Sequence, residues 1–479
     1  MDNNTKIDNL PTFLPEIYNR TIADFIDPRG EFTKKIEGKM KGTYTKDIII
    51  KFGIDPTRPD IHLGHTTVLR TLRFLQDLGC KVIFLIGDFT AGIGDPTGKS
   101  KVRPEIDQKE VQDNMKTYID QVVKILNTDK KVFSWIRNSD WFIGLTDLIP
   151  NEDPKKDFYN IKGKNGNTYE NLELEPNSFT GRAAFFESVN MQKNVLGNPT
   201  IQGVTLRGLM WTLRGITYSR LIARDMFQNR INSGDELYMH EMLYPIFQGI
   251  DSFLLKEIYG SCDLEIGGTD QTFNMLMGRD VMKVNKVNEQ AVLTVKILKG
   301  TDGQEKMSKS LDNYISINEI PSQIFGKIMS ISDNLIPEYL ELCTYITNEK
   351  IEEITNSIKS EKMNPKEAKM FLAHAVVAIY HGEEEAKKAE EGFDNTFKNN
   401  DFPEDAKELK CEANSKIGDV LVEEKIITSK TEWRRLVEAG AVTDFSDKDN
   451  LVKIVDPNEE VKSDRKIKVG KKTFISLKV

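Results

Sequence analysis

The chain has little cysteine: Cys80, Cys262, Cys343 and Cys411 are the only four in 479 residues, and no two form a CxxC pair. A disulfide scaffold and a zinc ribbon are therefore not expected, and a reducing cytoplasm is the expected compartment. Long apolar runs are missing as well. No stretch of about 18 apolar residues occurs, so no membrane span is expected. The opening residues, MDNNTKIDNLPTF, have neither a basic n-region nor an apolar h-region, and do not read as a secretory signal. Positive charge is not in excess either. The 66 basic and 74 acidic residues leave a net charge of −8, which argues against a protein that coats nucleic acid by bulk charge. No internal repeat is found.

What is present is an ordinary globular composition, 39% hydrophobic and 29% charged, in a chain long enough for about three domains. One segment departs from the acidic average. Lys462–Val479 holds seven Lys/Arg against the single Asp464; by charge alone it is either a solvated edge hairpin or a surface for an anionic partner.

Strand and helix patterns alternate through the first 300 or so residues. Lys46–Asp55, Lys81–Thr90, Val132–Ile136, Asp263–Ile266 and Ala291–Leu298 read as strands. Thr66–Leu78 (stopped by Gly79), Pro104–Leu126, Ser219–Ile231, His240–Tyr259 and Gln271–Val284 read as helices. That alternation implies a parallel sheet with right-handed crossovers, a Rossmann-like α/β domain over residues 1–317. Residues 144–199 are too long and polar for an ordinary connection and are expected to be an insertion of hairpin or irregular structure. Residues 318–394 are helical in pattern, 395–413 form a polar linker, and 414–479 form a small α+β unit.

Two strings suit phosphate chemistry. His62-Leu63-Gly64-His65 follows a strand and opens a helix. Its imidazoles at i and i+3 share a face, and Gly64 allows close approach to the backbone. The helix N-terminus adds free N–H groups. In isolation such a pair is more often two surface or capping histidines. A zinc site is disfavoured because no Cys and no HExxH pattern lies nearby. Lys306-Met307-Ser308-Lys309-Ser310 follows a polar, Gly-containing stretch, and two lysines three apart on a loop can close over a polyphosphate. Gly94–Ser100 imitates a P-loop but has Ile93 where the first glycine belongs, so that reading is rejected. The Tyr244, Gln248, Asp251 stripe, at i, i+4 and i+7 among apolar neighbours, points to a ligand rather than an exposed face.

HLGH and KMSKS together resemble the class I aminoacyl-tRNA synthetases. Gly53–Thr57, Gly94–Pro96, Tyr244–Asp251 and Gly267–Gln271, in that order, narrow the resemblance to the bacterial tyrosyl-tRNA synthetases, and the tail around Trp433-Arg434-Arg435-Leu436 is similar to their S4-type RNA-binding domain. The resemblance implies activation of L-tyrosine by ATP to a tyrosyl-adenylate, release of pyrophosphate, and transfer of tyrosine to the 3′ end of its tRNA. It implies that His62, His65, Lys306 and Lys309 act on the phosphates, and that Gly53, Asp55, Thr57, Gly64, Gly268, Asp270, Met307 and Ser308 bind ATP or the adenylate. Asp95, Tyr244, Gln248, Asp251 and Gln271 would bind tyrosine, with Asp251 accepting from the phenol. Arg434, Arg435, Lys471 and Lys472 would meet tRNA phosphates, whereas Trp433 reads as core. The helical region would recognise the anticodon. Mg²⁺ would accompany ATP with no protein-bound metal, and the chain would be a homodimer. Two positions depart from the family pattern: Lys51 stands where a tyrosine is common, and is expected to reach the phenol instead, while Glu265 replaces a common glutamine. Tryptophan specificity or a small-molecule nucleotidyltransferase are the alternative readings.

Overall fold

A computed structural model describes residues 10–58, 60–97, 108–142, 145–150, 158–163, 168–173, 204, 206–308, 311–398, 402, 406–447, 451–470 and 473–479. The chain forms two compact units. One comprises Met1–Asn318 with Ile331–Lys362; the other comprises Glu319–Ser330 with Met363–Val479.

The first unit is built on strands β1 (Ile22–Ile26), β2 (Ile49–Ile54), β3 (Lys81–Ile86), β4 (Phe133–Arg137), β8 (Leu264–Gly268) and β9 (Ala291–Val295), with β5 (Leu145–Pro150), β6 (Phe158–Gly163) and β7 (Thr168–Glu173) between β4 and β8 in sequence. The main sheet runs β1-β9-β8-β2-β3-β4. All neighbours in it are parallel except β1, which pairs antiparallel with β9. The central strands are buried along almost their whole length, Ile49–Phe52 and Ala291–Val295 completely so, which is why they read as continuous apolar runs. The α/β class expected from the alternation is the one observed. The strand order reverses at β2, with β3 and β4 on one side and β8 and β9 on the other. Open α/β sheets bind ligands at the carboxyl ends of the strands where such a reversal occurs.

Local differences have local causes. The strand expected to reach Thr90 stops at Ile86, because Gly87-Asp88 opens a short helix, Asp88–Ile93. Ser219–Ile231 is two helices, Tyr218–Ile222 and Asp225–Ser233, the first capped by the Thr217 side chain. β1 was not anticipated. Within the 144–199 insertion the described strands β5, β6 and β7 form an antiparallel three-stranded sheet; the rest of the insertion lies outside the described residues. The helices Ile336–Cys343 and Asn348–Lys359 belong to this unit. Arg20 and Arg70 fasten them by donating to the Thr344 carbonyl, at 3.0 and 2.8 Å.

In the second unit, helices Pro321–Met329, Pro365–His381 and Glu383–Lys398 pack on one another. Strands β10 (Lys407–Lys410), β11 (Val442–Asp444), β12 (Val452–Lys453), β13 (Arg465–Val469) and β14 (Thr473–Lys478) form a sheet in the order β10-β14-β13-β11-β12. Helices Ile417–Glu423 and Lys430–Glu438 share a core with it, in which Trp433 is buried and donates from Nε1 to the Pro457 carbonyl at 2.8 Å.

Candidate active site

At the reversal point the first unit encloses a cavity of about 980 Å³. Its walls come from the carboxyl ends of β2 and β8, the His62–His65 turn, the Met239–Tyr259 helix and the Lys306–Ser308 loop. The two phosphate-suited strings, far apart in sequence, therefore face one space. Every cavity residue expected from the sequence lines it except Lys309, which lies outside the described residues along with Lys471 and Lys472. Arg434 and Arg435 are exposed on the Lys430–Glu438 helix of the other unit.

His62 is the N-cap of the Leu63–Asp77 helix, in extended backbone conformation. The two imidazoles stack, ring centroids 3.8 Å apart, and the His62 N–H donates to His65 Nδ1 at 3.3 Å. They are thus stacked across a cap rather than side by side on one helical face. A β-carbon on Gly64 would stand 3.1 Å from the His62 ring and 3.7 Å from Cβ of Met307, so the glycine lets the two strings approach. The loop itself is held by Asn313, which is buried, accepts from the Ser308 N–H at 2.8 Å and donates to Asp302 at 2.7 Å. Lys306 Nζ sits 2.6 Å from Asp270 Oδ2, with both side chains partly exposed. Gly268 keeps room for that aspartate, since a β-carbon there would lie 2.8 Å from Asp270 Oδ1.

The Tyr244, Gln248, Asp251 stripe faces inward as its pattern suggested, but its partners differ from those expected. Tyr244 Oη donates to Asp55 Oδ2 at 2.7 Å, and Thr90 Oγ1 donates to Asp55 Oδ1 at 2.8 Å. Gln248 Nε2 donates to Glu265 Oε1 at 3.0 Å. Asp251 accepts from Trp141 Nε1 at 2.9 Å and Asn138 Nδ2 at 3.3 Å. Burial pushes its carboxyl up to about 7, against the opposing influence of the Lys51 charge and the two hydrogen bonds. Asp95 accepts from the Thr97 N–H at 2.9 Å and from Gln271 Nε2 at 2.7 Å, with Arg224 4.0 Å away. Burial alone would raise Asp95; the Arg224 guanidinium and the hydrogen bonds outweigh it and hold the carboxyl below the usual carboxylate range. Lys51 forms a buried ion pair with Glu265, Nζ to Oε1 2.8 Å. The arrangement offers fixed carboxylates at one end of the cavity, for a cation and a hydroxyl donor, and histidine and lysine donors at the other, for an anion.

A family model described as tRNA synthetases class I (W and Y) matches residues 43–148 and 191–398. The tyrosine–tRNA ligase of Carboxydothermus hydrogenoformans is 35% identical over 469 residues, 96% of this chain and 97% of that one. The tyrosine–tRNA ligase of Desulfotalea psychrophila is 36% identical over 466 residues, again 96% and 97% of the two chains. The chain belongs to the class I tRNA synthetases, among the tyrosine–tRNA ligases. Its fold agrees with solved structures of the family: a C-terminally truncated mitochondrial tyrosyl-tRNA synthetase of Aspergillus nidulans has TM-score 0.52 and 18% identity over 80% of this chain and 94% of that one. The corresponding Coccidioides posadasii enzyme has TM-score 0.51 and 19% identity over 80% and 91%. ATP is a substrate of this family.

Four residues that shape the cavity or hold its lining were not anticipated: Thr90, Asn138, Trp141 and Arg224. Thr90 lines the cavity, and Asn138 Nδ2 bonds both its hydroxyl, at 3.0 Å, and Asp251. Arg224 is buried over the rings of Phe227 and Phe273 and donates to Thr97 Oγ1. The one available signal was position: Asn138–Trp141 directly follows the carboxyl end of β4. Arg224 carries no comparable mark.

Proposed function

We propose that this cavity activates L-tyrosine with ATP and that the chain then transfers the tyrosyl group to the 3′ end of its tRNA. The observation that carries this reading is the single cavity shared by His62, His65, Lys306 and the Tyr244–Asp251 stripe. The tyrosine carboxylate attacks the α-phosphorus in line, pyrophosphate leaves, and the tRNA ribose hydroxyl later takes the acyl group. No covalent enzyme intermediate is needed, so the work is positioning and charge stabilisation.

In this reading His62 and His65 hold the triphosphate in the transition state. Lys306 leaves Asp270 to meet the departing pyrophosphate, a role Lys309 is proposed to share, and Met307 and Ser308 shape the loop. Gly53, Asp55, Thr57, Gly64 and Gly268 border the adenylate, and Asp270, once released, takes a ribose hydroxyl. Asp95, ionised, receives the α-amino group, and Gln271, bonded to it, orients the carboxylate. Tyr244 and Gln248 complete that end, and Asp251 accepts from the phenol. Facing a phenyl ring, Asp251 would keep Trp141 and Asn138 but lose the phenol as a further donor in a buried place, which disfavours phenylalanine. Mg²⁺ travels with ATP on phosphate oxygens and water; among the described residues no group of three or more potential ligands is gathered.

The second unit is read as the tRNA-holding part, with an S4-like sheet at residues 414–479 and helices that recognise the anticodon. Exposed Arg434 and Arg435 support this, with Lys471 and Lys472 proposed to join them. Part of the basic strip is already neutralised: Arg465 pairs with Asp444 and Glu459, and Lys478 with Asp464 at 2.9 Å. A homodimer is supported by Leu206, Met210 and Trp211, all exposed on the Leu206–Leu213 helix. No described helix is long and apolar enough to cross a membrane, and a cytoplasmic location is proposed.

ATP–pyrophosphate exchange with each of the twenty amino acids tests the reading. Tyrosine should stimulate exchange; stimulation by tryptophan alone, or by none, would reject it.

A further inference from the structure

Lys51 and Glu265 stand in register on the adjacent parallel strands β2 and β8. Both line the cavity, and their side chains are 0% and 2% exposed. An ammonium has three donors. Lys51 spends them on Glu265 Oε1, the Gln248 carbonyl and Ser252 Oγ, each at 2.8 Å. Glu265 is equally occupied. Besides Lys51 it accepts from Gln248 Nε2 at 3.0 Å, Ser252 Oγ at 3.2 Å and Gln290 Nε2. With its donors spent on the protein, Lys51 has none left to offer a phenol.

The two charges nevertheless stand beside Asp251, because both bond Ser252, the next residue on the Met239–Tyr259 helix. Lys51 from β2 favours its anion and Glu265 from β8 opposes it, while its partners from the turn after β4, Asn138 and Trp141, are uncharged. A buried carboxyl that has taken a proton no longer accepts from a phenol with the same strength, because charge-assisted hydrogen bonds are the stronger kind. We propose that Lys51 and Glu265 are a positioning pair that sets the charge on Asp251, and through it the preference for a phenol over a bare phenyl ring, without touching the substrate. This rests on the reading of the cavity as a tyrosine site.

The test is ATP–pyrophosphate exchange from about pH 5.5 to about pH 9, with tyrosine and with phenylalanine, on the full-length chain and on Lys51→Met and Glu265→Gln. In the unaltered chain kcat/KM for tyrosine should fall on the acid side of about 7, where Asp251 gains its proton. Phenylalanine has no hydroxyl and should show no such limb. Lys51→Met should move the tyrosine limb to higher pH and Glu265→Gln to lower pH, each by about one unit, so that the tyrosine preference of Lys51→Met at pH 7 falls about fivefold. A merely structural role would not shift the limb in opposite directions. Should Lys51→Met fail to fold, the isosteric Glu265→Gln decides by itself. Limbs that coincide with the unaltered one, or that move the same way in both variants, overturn the proposal. Absence of tyrosine-stimulated exchange in the unaltered chain would instead remove the reading beneath it.

Discussion

At one end of the cavity Lys51, Asp251 and Glu265 are buried and held by fixed partners; at the other, Lys306 and Asp270 form a pair whose side chains remain 37% and 25% exposed. The difference is one of exchange. A buried ion pair is costly to break, because either partner left alone is an uncompensated charge. A half-exposed pair is weak, and water can take over either partner. The buried end can therefore be shaped before substrate arrives, as discrimination requires. The exposed end can give up Lys306 to a polyphosphate and free Asp270 at the same time. Selectivity and rate should accordingly be separable by mutation.

The largest expected effect is on rate. His65→Ala should lower tyrosine-dependent ATP–pyrophosphate exchange by about 10²–10³-fold, the usual size for loss of a donor to developing charge, with tRNA affinity in a filter-binding assay little changed. Next comes selectivity. Asp251→Asn should cut the ratio of kcat/KM for tyrosine over phenylalanine by about 10- to 100-fold, since a buried polar partner is mismatched, while the phenylalanine rate itself changes little. Lys306→Ala should be milder, about tenfold in exchange, as one charge-assisted contact is lost from a partly solvated loop. The smallest effect on the cavity is from deleting the residues after Ala413. Exchange should persist, while tRNA binding weakens and loses part of its dependence on salt; equal loss of exchange would mean that the division of labour is wrong.

The same contrast explains what the sequence disclosed. The groups proposed to meet phosphate sit in two short contiguous strings, HLGH and KMSKS, so their joint occurrence marks them although neither does alone. The Tyr244, Gln248, Asp251 stripe was legible because helical periodicity puts polar residues on an otherwise apolar face. Pairings were not. Lys51 meets Glu265 only because β2 and β8 become sheet neighbours, and Arg224 reaches Asp95 from a distant helix start; tertiary packing decides both. The parallel sheet was legible from its buried runs. β1 was not, since IADFI is short and has a mixed burial pattern. The end of β3 was misplaced because Phe89 and Thr90 prolong an apolar run whose backbone has already turned at Gly87.

Equilibrium binding of tyrosine in the absence of ATP tests the separation most directly, comparing Asp251→Asn with the double variant His62→Ala/His65→Ala. The account predicts that the histidine variant binds tyrosine as the unaltered chain does yet forms almost no adenylate, whereas the aspartate variant loses affinity. Tyrosine affinity that falls in step with adenylate formation in the histidine variant would contradict it.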